Sequence, residues 1–116
     1  MIGFDLQQVD KIKYPEKLLN RIGLEGEIEY VKKFPENFAE KVASLWSAKE
    51  AVFKALDFED KNVSFREIEL CHKENGAPYI KLYGKMQEQF ERKKAKKIEI
   101  SISHQENIVG AVVIVE

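Results

Sequence analysis

One segment constrains most of what this 116-residue chain can become. Residues 46–56, WSAKEAVFKAL, place Trp46, Val52, Phe53 and Leu56 on one side of a helix turning about 100° per residue. Phe38, Val42 and Leu45 extend the stripe backward, so the spacing predicts a helix starting near Asn37, a plausible N-cap after Pro35. Lys49 projects from the middle of that apolar stripe, flanked by Glu50, with Lys54 one turn beyond. An unpaired ammonium among apolar side chains is very costly, so Lys49 must reach a partner, a phosphate or an interface between copies. A lysine that breaks the pattern of its own helix is the first sign of a site.

The rest of the chain reads as a single α+β domain spanning residues 1–116. Residues 2–9 alternate as a strand, with Ile2, Phe4 and Leu6 on one face and Gly3, Asp5 and Gln7 on the other. From the strand alone, Asp5 reads as a solvated position, and Gly3 as a point where another backbone or a ligand comes close. Residues 11–21 form a helix with Lys13, Lys17 and Arg21 on one face; residues 25–33 form another. Residues 63–70 read as a strand whose apolar parity shifts between Phe65 and Ile68, suggesting a bulge. Asn75-Gly76 marks a hairpin into a strand at residues 79–83, and a helix follows over residues 84–94. Ile98, Ile100 and Ile102 alternate with polar residues, and residues 105–107 turn the chain into a last strand, 108–115. That strand is apolar on both faces and so is central in a sheet or at a subunit interface.

Composition excludes several classes. Charged residues at 34% and hydrophobic residues at 44% suit a folded domain, and no apolar run approaches the roughly 20 residues of a membrane span. An acid near the N-terminus does not suit a signal peptide, and the single cysteine, Cys71, implies a reducing cytoplasm. A net charge of −1 gives no global field for nucleic acid, and the basic residues 93–97 are interspersed with acids and lack a reader motif. Neither nucleic acid nor membrane is therefore an expected partner.

Five residues are candidates for chemistry: Asp5, Glu50, Lys49, Lys54 and His104. Two carboxylates from separate elements can hold Mg²⁺, and two lysines beside them would neutralise phosphate charge. Such a set suits transfer from a diphosphate, although Glu50 and Lys54 also form an ordinary i, i+4 surface pair. Zinc and a Ser103–His104 nucleophile are disfavoured, because adjacent strand residues point to opposite faces.

The order and separation of IGFD at the N-terminus, WSAKEAVFKAL, NGAPYI and ISISH resemble the holo-[acyl-carrier-protein] synthases. These are the small AcpS-type 4′-phosphopantetheinyl transferases, and the resemblance runs nearly end to end. It implies an antiparallel sheet packed against a long helix, assembled as a cytoplasmic, Mg²⁺-dependent homotrimer with sites between subunits. It implies transfer of the 4′-phosphopantetheine arm of coenzyme A to a serine of apo acyl carrier protein, releasing adenosine 3′,5′-bisphosphate, for fatty acid biosynthesis. By matching position, Asp5 and Glu50 would bind the metal, and Glu50 and Lys54 would act in catalysis. Lys49, Lys54, Ser103 and His104 would contact coenzyme A, while Lys11, Lys13, Lys17 and Arg21 would meet the acidic carrier protein. The chain departs from the family pattern at Lys11 and Leu45, where arginines are usual, and in a glycine-free acidic turn at residues 57–60. A non-catalytic carrier-binding module with the same fold is the alternative those departures raise.

Overall fold

The computed structural model describes residues 1–58 and 64–116. Strand β1 (Ile2–Gln8) is followed by helices α1 (Pro15–Ile22), α2 (Glu25–Lys32) and α3 (Phe38–Leu56). Then come β2 (Ile68–His72), β3 (Pro78–Leu82), helix α4 (Gly84–Arg92), β4 (Ile98–Gln105) and β5 (Ile108–Val115). β5 lies between β1 and β4 in an antiparallel sheet, while β2 and β3 form a separate hairpin. The α+β class is as expected, and β5 is central, as its doubly apolar sequence requires.

Helix α3 lies across one face of this sheet, and the face it covers is the opposite of the one hydrophobicity suggests. Gly3 and Asp5 are buried beneath it together with Val109, Ala111 and Val113. Ile2, Phe4 and Leu6 instead point outward and are 67%, 53% and 60% exposed. The reason is at Gly3, where a Cβ atom would stand 2.0 Å from the Ala51 carbonyl oxygen and 2.6 Å from the Ala55 nitrogen. Helix and strand meet backbone to backbone, which only glycine permits. The Ser47 hydroxyl, fully buried, donates to the Asp5 carbonyl oxygen at 3.0 Å and fixes the two elements in register.

Lys49 finds its partner inside the protein. Its ammonium is 2.8 Å from Glu27 Oε1 and donates to the carbonyl oxygens of Ile22, Phe65 and Ile68 at 2.8–2.9 Å. Four acceptors for three N–H bonds leave no proton for a ligand. Glu27 completes the network by accepting from the Leu24 and Leu70 amides. Burial pulls the Lys49 ammonium below the usual lysine range, and Glu27 opposes that shift. The network ties the end of α1, the start of α2 and the start of β2 to the middle of α3. Lys49 is therefore a structural cation, and its expected contact with coenzyme A phosphate is corrected by this geometry.

Smaller differences have local causes. Lys11 ends a short 3₁₀ turn and α1 begins only at Pro15, so Lys13 does not share a helical face with Lys17 and Arg21. Asn37 occupies the N-cap of α3 without a side-chain capping bond. The parity shift before β2 is a 3₁₀ turn at Phe65–Glu67, capped by Ser64, rather than a bulge. α3 ends on Asp57 with φ +49°, so an aspartate takes the left-handed position that glycine usually fills. Residues 59–63, including the rest of the acidic turn and the expected start of the strand at Val63, lie outside the described residues.

Two substitutions test this packing. Gly3→Ala must push β1 off α3 and is expected to cost about 3 kcal/mol or more, measured by urea denaturation. Lys49→Met leaves the Glu27 carboxylate buried without its cation and is expected to cost roughly 3–5 kcal/mol in the same assay.

Candidate active site

Asp5, Glu50 and Lys54 converge where β1 crosses α3. The close approach at Gly3 sets Asp5, two residues further along the strand, against the turn of α3 that carries Glu50 and Lys54. Asp5 Oδ1 is 3.0 Å from Lys54 Nζ, and the same ammonium donates to the Phe4 carbonyl oxygen at 3.1 Å. The second carboxylate oxygen, Oδ2, accepts from the Gln7 amide at 2.9 Å. The Asp5 side chain is nearly buried, whereas that of Lys54 is half exposed, so the cation is the outer member of the pair.

Glu50 is half-buried beside this pair. Loss of solvent raises its pKa above the usual carboxylate range, the negative charge of Asp5 raises it further, and Lys54 opposes both. Asp5 and Glu50 thus lie close enough to repel each other in a partly desolvated place, and a divalent cation would relieve that repulsion. Among the described residues no third histidine, cysteine or carboxylate joins them. That donor set fits Mg²⁺, which takes one or two carboxylates and fills its remaining positions with water and substrate phosphate. Bound there, the ion would offset the charge of a diphosphate.

The other expected ligand residues are not brought to this point. His104 lies on the helix-facing side of β4, its Nδ1 3.5 Å from Glu40 Oε2. Glu40 precedes Glu50 by ten positions on α3, a rise of about 15 Å. Ser103 faces the other side of the sheet, beside Phe4, Leu6 and Gly110. Lys49 is enclosed in the core. One chain thus carries the carboxylate pair and His104 at separate places.

A basic groove adjoins the carboxylates. Lys11, Lys17 and Arg21 line it with Gln7, Tyr14 and Trp46, and Lys17 rests over the Tyr14 ring at 5.0 Å. Gln7 belongs to both places, since its amide also holds Asp5. Lys13 is exposed but does not line the groove. Sequence reasoning missed Gln7 and Glu27. The signal for Glu27 was its place three residues after Leu24, where a glutamate caps a helix start; nothing in the spacing singled out Gln7.

A family model described as the 4′-phosphopantetheinyl transferase superfamily matches residues 1–113. The holo-[acyl-carrier-protein] synthase of Halothermothrix orenii is 33% identical, aligned over 99% of this chain and 95% of its own length. The corresponding protein of Nitratiruptor is 36% identical over 99% and 97%. The crystal structure of Helicobacter pylori holo-[acyl-carrier-protein] synthase in complex with coenzyme A superposes with a TM-score of 0.83 at 29% identity. That match covers all of both chains.

The carboxylate pair makes a pH-dependent prediction. A raised pKa in the folded state means the stability linked to Glu50 is present below the ordinary glutamate range and lost as pH rises through the raised value. Glu50→Gln is therefore expected to raise the urea midpoint of the metal-free protein at pH 7, with the gain vanishing near pH 4. A lower midpoint at pH 7 would contradict the repulsion between Glu50 and Asp5.

Proposed function

Because the chain belongs to the 4′-phosphopantetheinyl transferase superfamily, we propose that it transfers the phosphopantetheine arm of coenzyme A to a serine of apo acyl carrier protein. The observation that carries this reading is the meeting of Asp5, Glu50 and Lys54 at the crossing of β1 and α3. The serine oxygen bonds to the phosphorus that bears the pantetheine arm. The bond from that phosphorus to the bridging oxygen breaks, and adenosine 3′,5′-bisphosphate leaves. The serine proton passes to Glu50 or to a water beside it, the two bases the sequence leaves open. Lys54 offers its exposed ammonium to the departing phosphate. Gln7 keeps Asp5 oriented. Asp5 and Glu50 would hold Mg²⁺, which supplies charge compensation for the diphosphate.

The carrier protein docks in the basic groove, with Lys11, Lys17 and Arg21 in contact and Lys13 adding to the field. Acidic partners are guided by such local charge even when the net charge is −1. Arg21→Glu is expected to raise the KM for carrier protein far more than the KM for coenzyme A in steady-state assays.

The site is completed by a second copy, in a homotrimer. Support comes from the outer sheet face, where Ile2, Phe4, Leu6, Ile108 and Ile114 stand exposed together. The separation of His104 from the carboxylates along α3 supports it too, since a neighbouring chain can bring its own His104 alongside. Light scattering at micromolar concentration is expected to give about 40 kDa, three times the 13.5 kDa chain. Fatty acid biosynthesis in the cytoplasm is the setting this reading implies, and among the described residues no helix is long and apolar enough to cross a membrane.

Intact-mass analysis of apo carrier protein incubated with coenzyme A, Mg²⁺ and this protein tests the reaction. A gain of one phosphopantetheine group is expected, abolished by EDTA and reduced at least 100-fold in rate by Glu50→Gln. Carrier binding without any mass gain would instead mark a non-catalytic module.

A further inference from the structure

Among the described residues, Gln7 alone both lines the basic groove and bonds to a member of the carboxylate site. The backbone explains why the two places meet there. Along β1, Asp5 and Gln7 are alternate residues and so face the same way, about 7 Å apart. Along α3, Trp46 and Glu50 are one turn apart on the same side, a rise of about 6 Å. The bond from Ser47 to the Asp5 carbonyl oxygen holds strand and helix in this register, so each element leads from groove to carboxylate in one step. A partner seated in the groove beside Gln7 and Trp46 is therefore one side chain away from Asp5 and Glu50.

The two ends of the Gln7 amide are used unequally. Nε2 donates to Asp5 Oδ2 at 2.9 Å, while no described residue donates to the amide oxygen of this half-buried side chain. Lys54 holds the other carboxylate oxygen, Oδ1, at 3.0 Å. When a phosphate draws Lys54 away, Gln7 is the side chain left to orient Asp5. A glutamine held by a single bond keeps rotational freedom that is lost on ordering. A donor placed on its amide oxygen fixes the side chain at both ends and polarises its N–H toward Asp5. The carboxylate is then already oriented when a cation arrives.

Resting on the transfer reaction proposed above, we propose that Gln7 is a positioning residue that couples carrier docking to metal binding. The docked carrier protein donates a hydrogen bond to the Gln7 amide oxygen, and the fixed amide holds Asp5 ready for the cation. By linkage, the cation tightens carrier binding by the same factor. An acidic carrier also attracts cations through its own field, but that contribution does not depend on which residue stands at position 7.

The test is a titration of the full chain with Mn²⁺, followed by the electron paramagnetic resonance of the free ion, with and without saturating apo carrier protein. Carrier protein alone gives the baseline, and without coenzyme A no transfer disturbs the equilibrium. In the wild type the carrier is expected to lower the Mn²⁺ Kd about five-fold or more. In Gln7→Met, which keeps the length and loses the amide, that factor is expected to fall below about two with the carrier still bound. Gln7→Asn keeps the amide but is too short to span both contacts, and is expected to lose the coupling as well. A substitution that merely loosened β1 would weaken Mn²⁺ binding equally with and without carrier and leave the factor unchanged. An unchanged factor, or none in the wild type while carrier and metal both bind, would overturn the role of Gln7 and leave the transfer reaction standing. A wild type that fails to bind either carrier or metal would overturn the transfer reading itself, and the coupling with it.

Discussion

The structure depends on a backbone contact between β1 and α3. With no side chain at Gly3, the strand comes within reach of the Ala51 carbonyl, and the buried Ser47 hydroxyl locks the Asp5 carbonyl to the helix. Every other feature of the site follows from that distance. A carboxylate two residues along the strand is brought against a helix turn carrying Glu50 and Lys54, so charges from elements some 45 positions apart in sequence share one partly desolvated spot. Their mutual repulsion is what the proposed divalent cation would relieve, leaving it able to meet the charge of a diphosphate. A larger residue at position 3 would keep both elements and lose their juxtaposition.

Lys49 and Glu50 show how neighbouring charges on one helix serve different ends. Lys49 points into the core and donates to the carbonyl oxygens of Ile22, Phe65 and Ile68, with Glu27 balancing its charge. A buried ion pair of this kind contributes modest net stability, but loss of either partner is costly, so it fixes the positions of α1, α2 and β2 around α3. Glu50, one residue later and rotated by about 100°, meets the sheet edge and solvent. The core staple therefore supports the proposed reacting group from behind.

Much of this was legible in the sequence. The amphipathic run ending at Leu56, the alternation at Ile98, Ile100 and Ile102, and the doubly apolar final strand gave the α+β class and the central place of β5. The anomaly of a lysine in an apolar stripe correctly demanded a partner. Its identity was not legible, because Glu27 is 22 positions away and the carbonyl acceptors leave no mark in the residue pattern. The direction of β1 was misread for a physical reason: apolar residues ordinarily face the core, yet here glycine and a carboxylate face the helix and Phe4 and Leu6 stay outside. An exposed apolar sheet face is intelligible once another copy of the chain is expected to cover it. Lys13, Lys17 and Arg21 looked like one helical face, but Pro15 starts the helix later and leaves Lys13 outside it.

The most direct test of the central claim is a crystal structure of the chain grown with coenzyme A and Mn²⁺, read from the anomalous signal of the metal. The account predicts a peak about 2–2.5 Å from carboxylate oxygens of both Asp5 and Glu50, in contact with diphosphate oxygens. Lys54 would then have turned from Asp5 toward phosphate. A bound coenzyme whose diphosphate lies away from these carboxylates, or a metal held without them, would contradict the account.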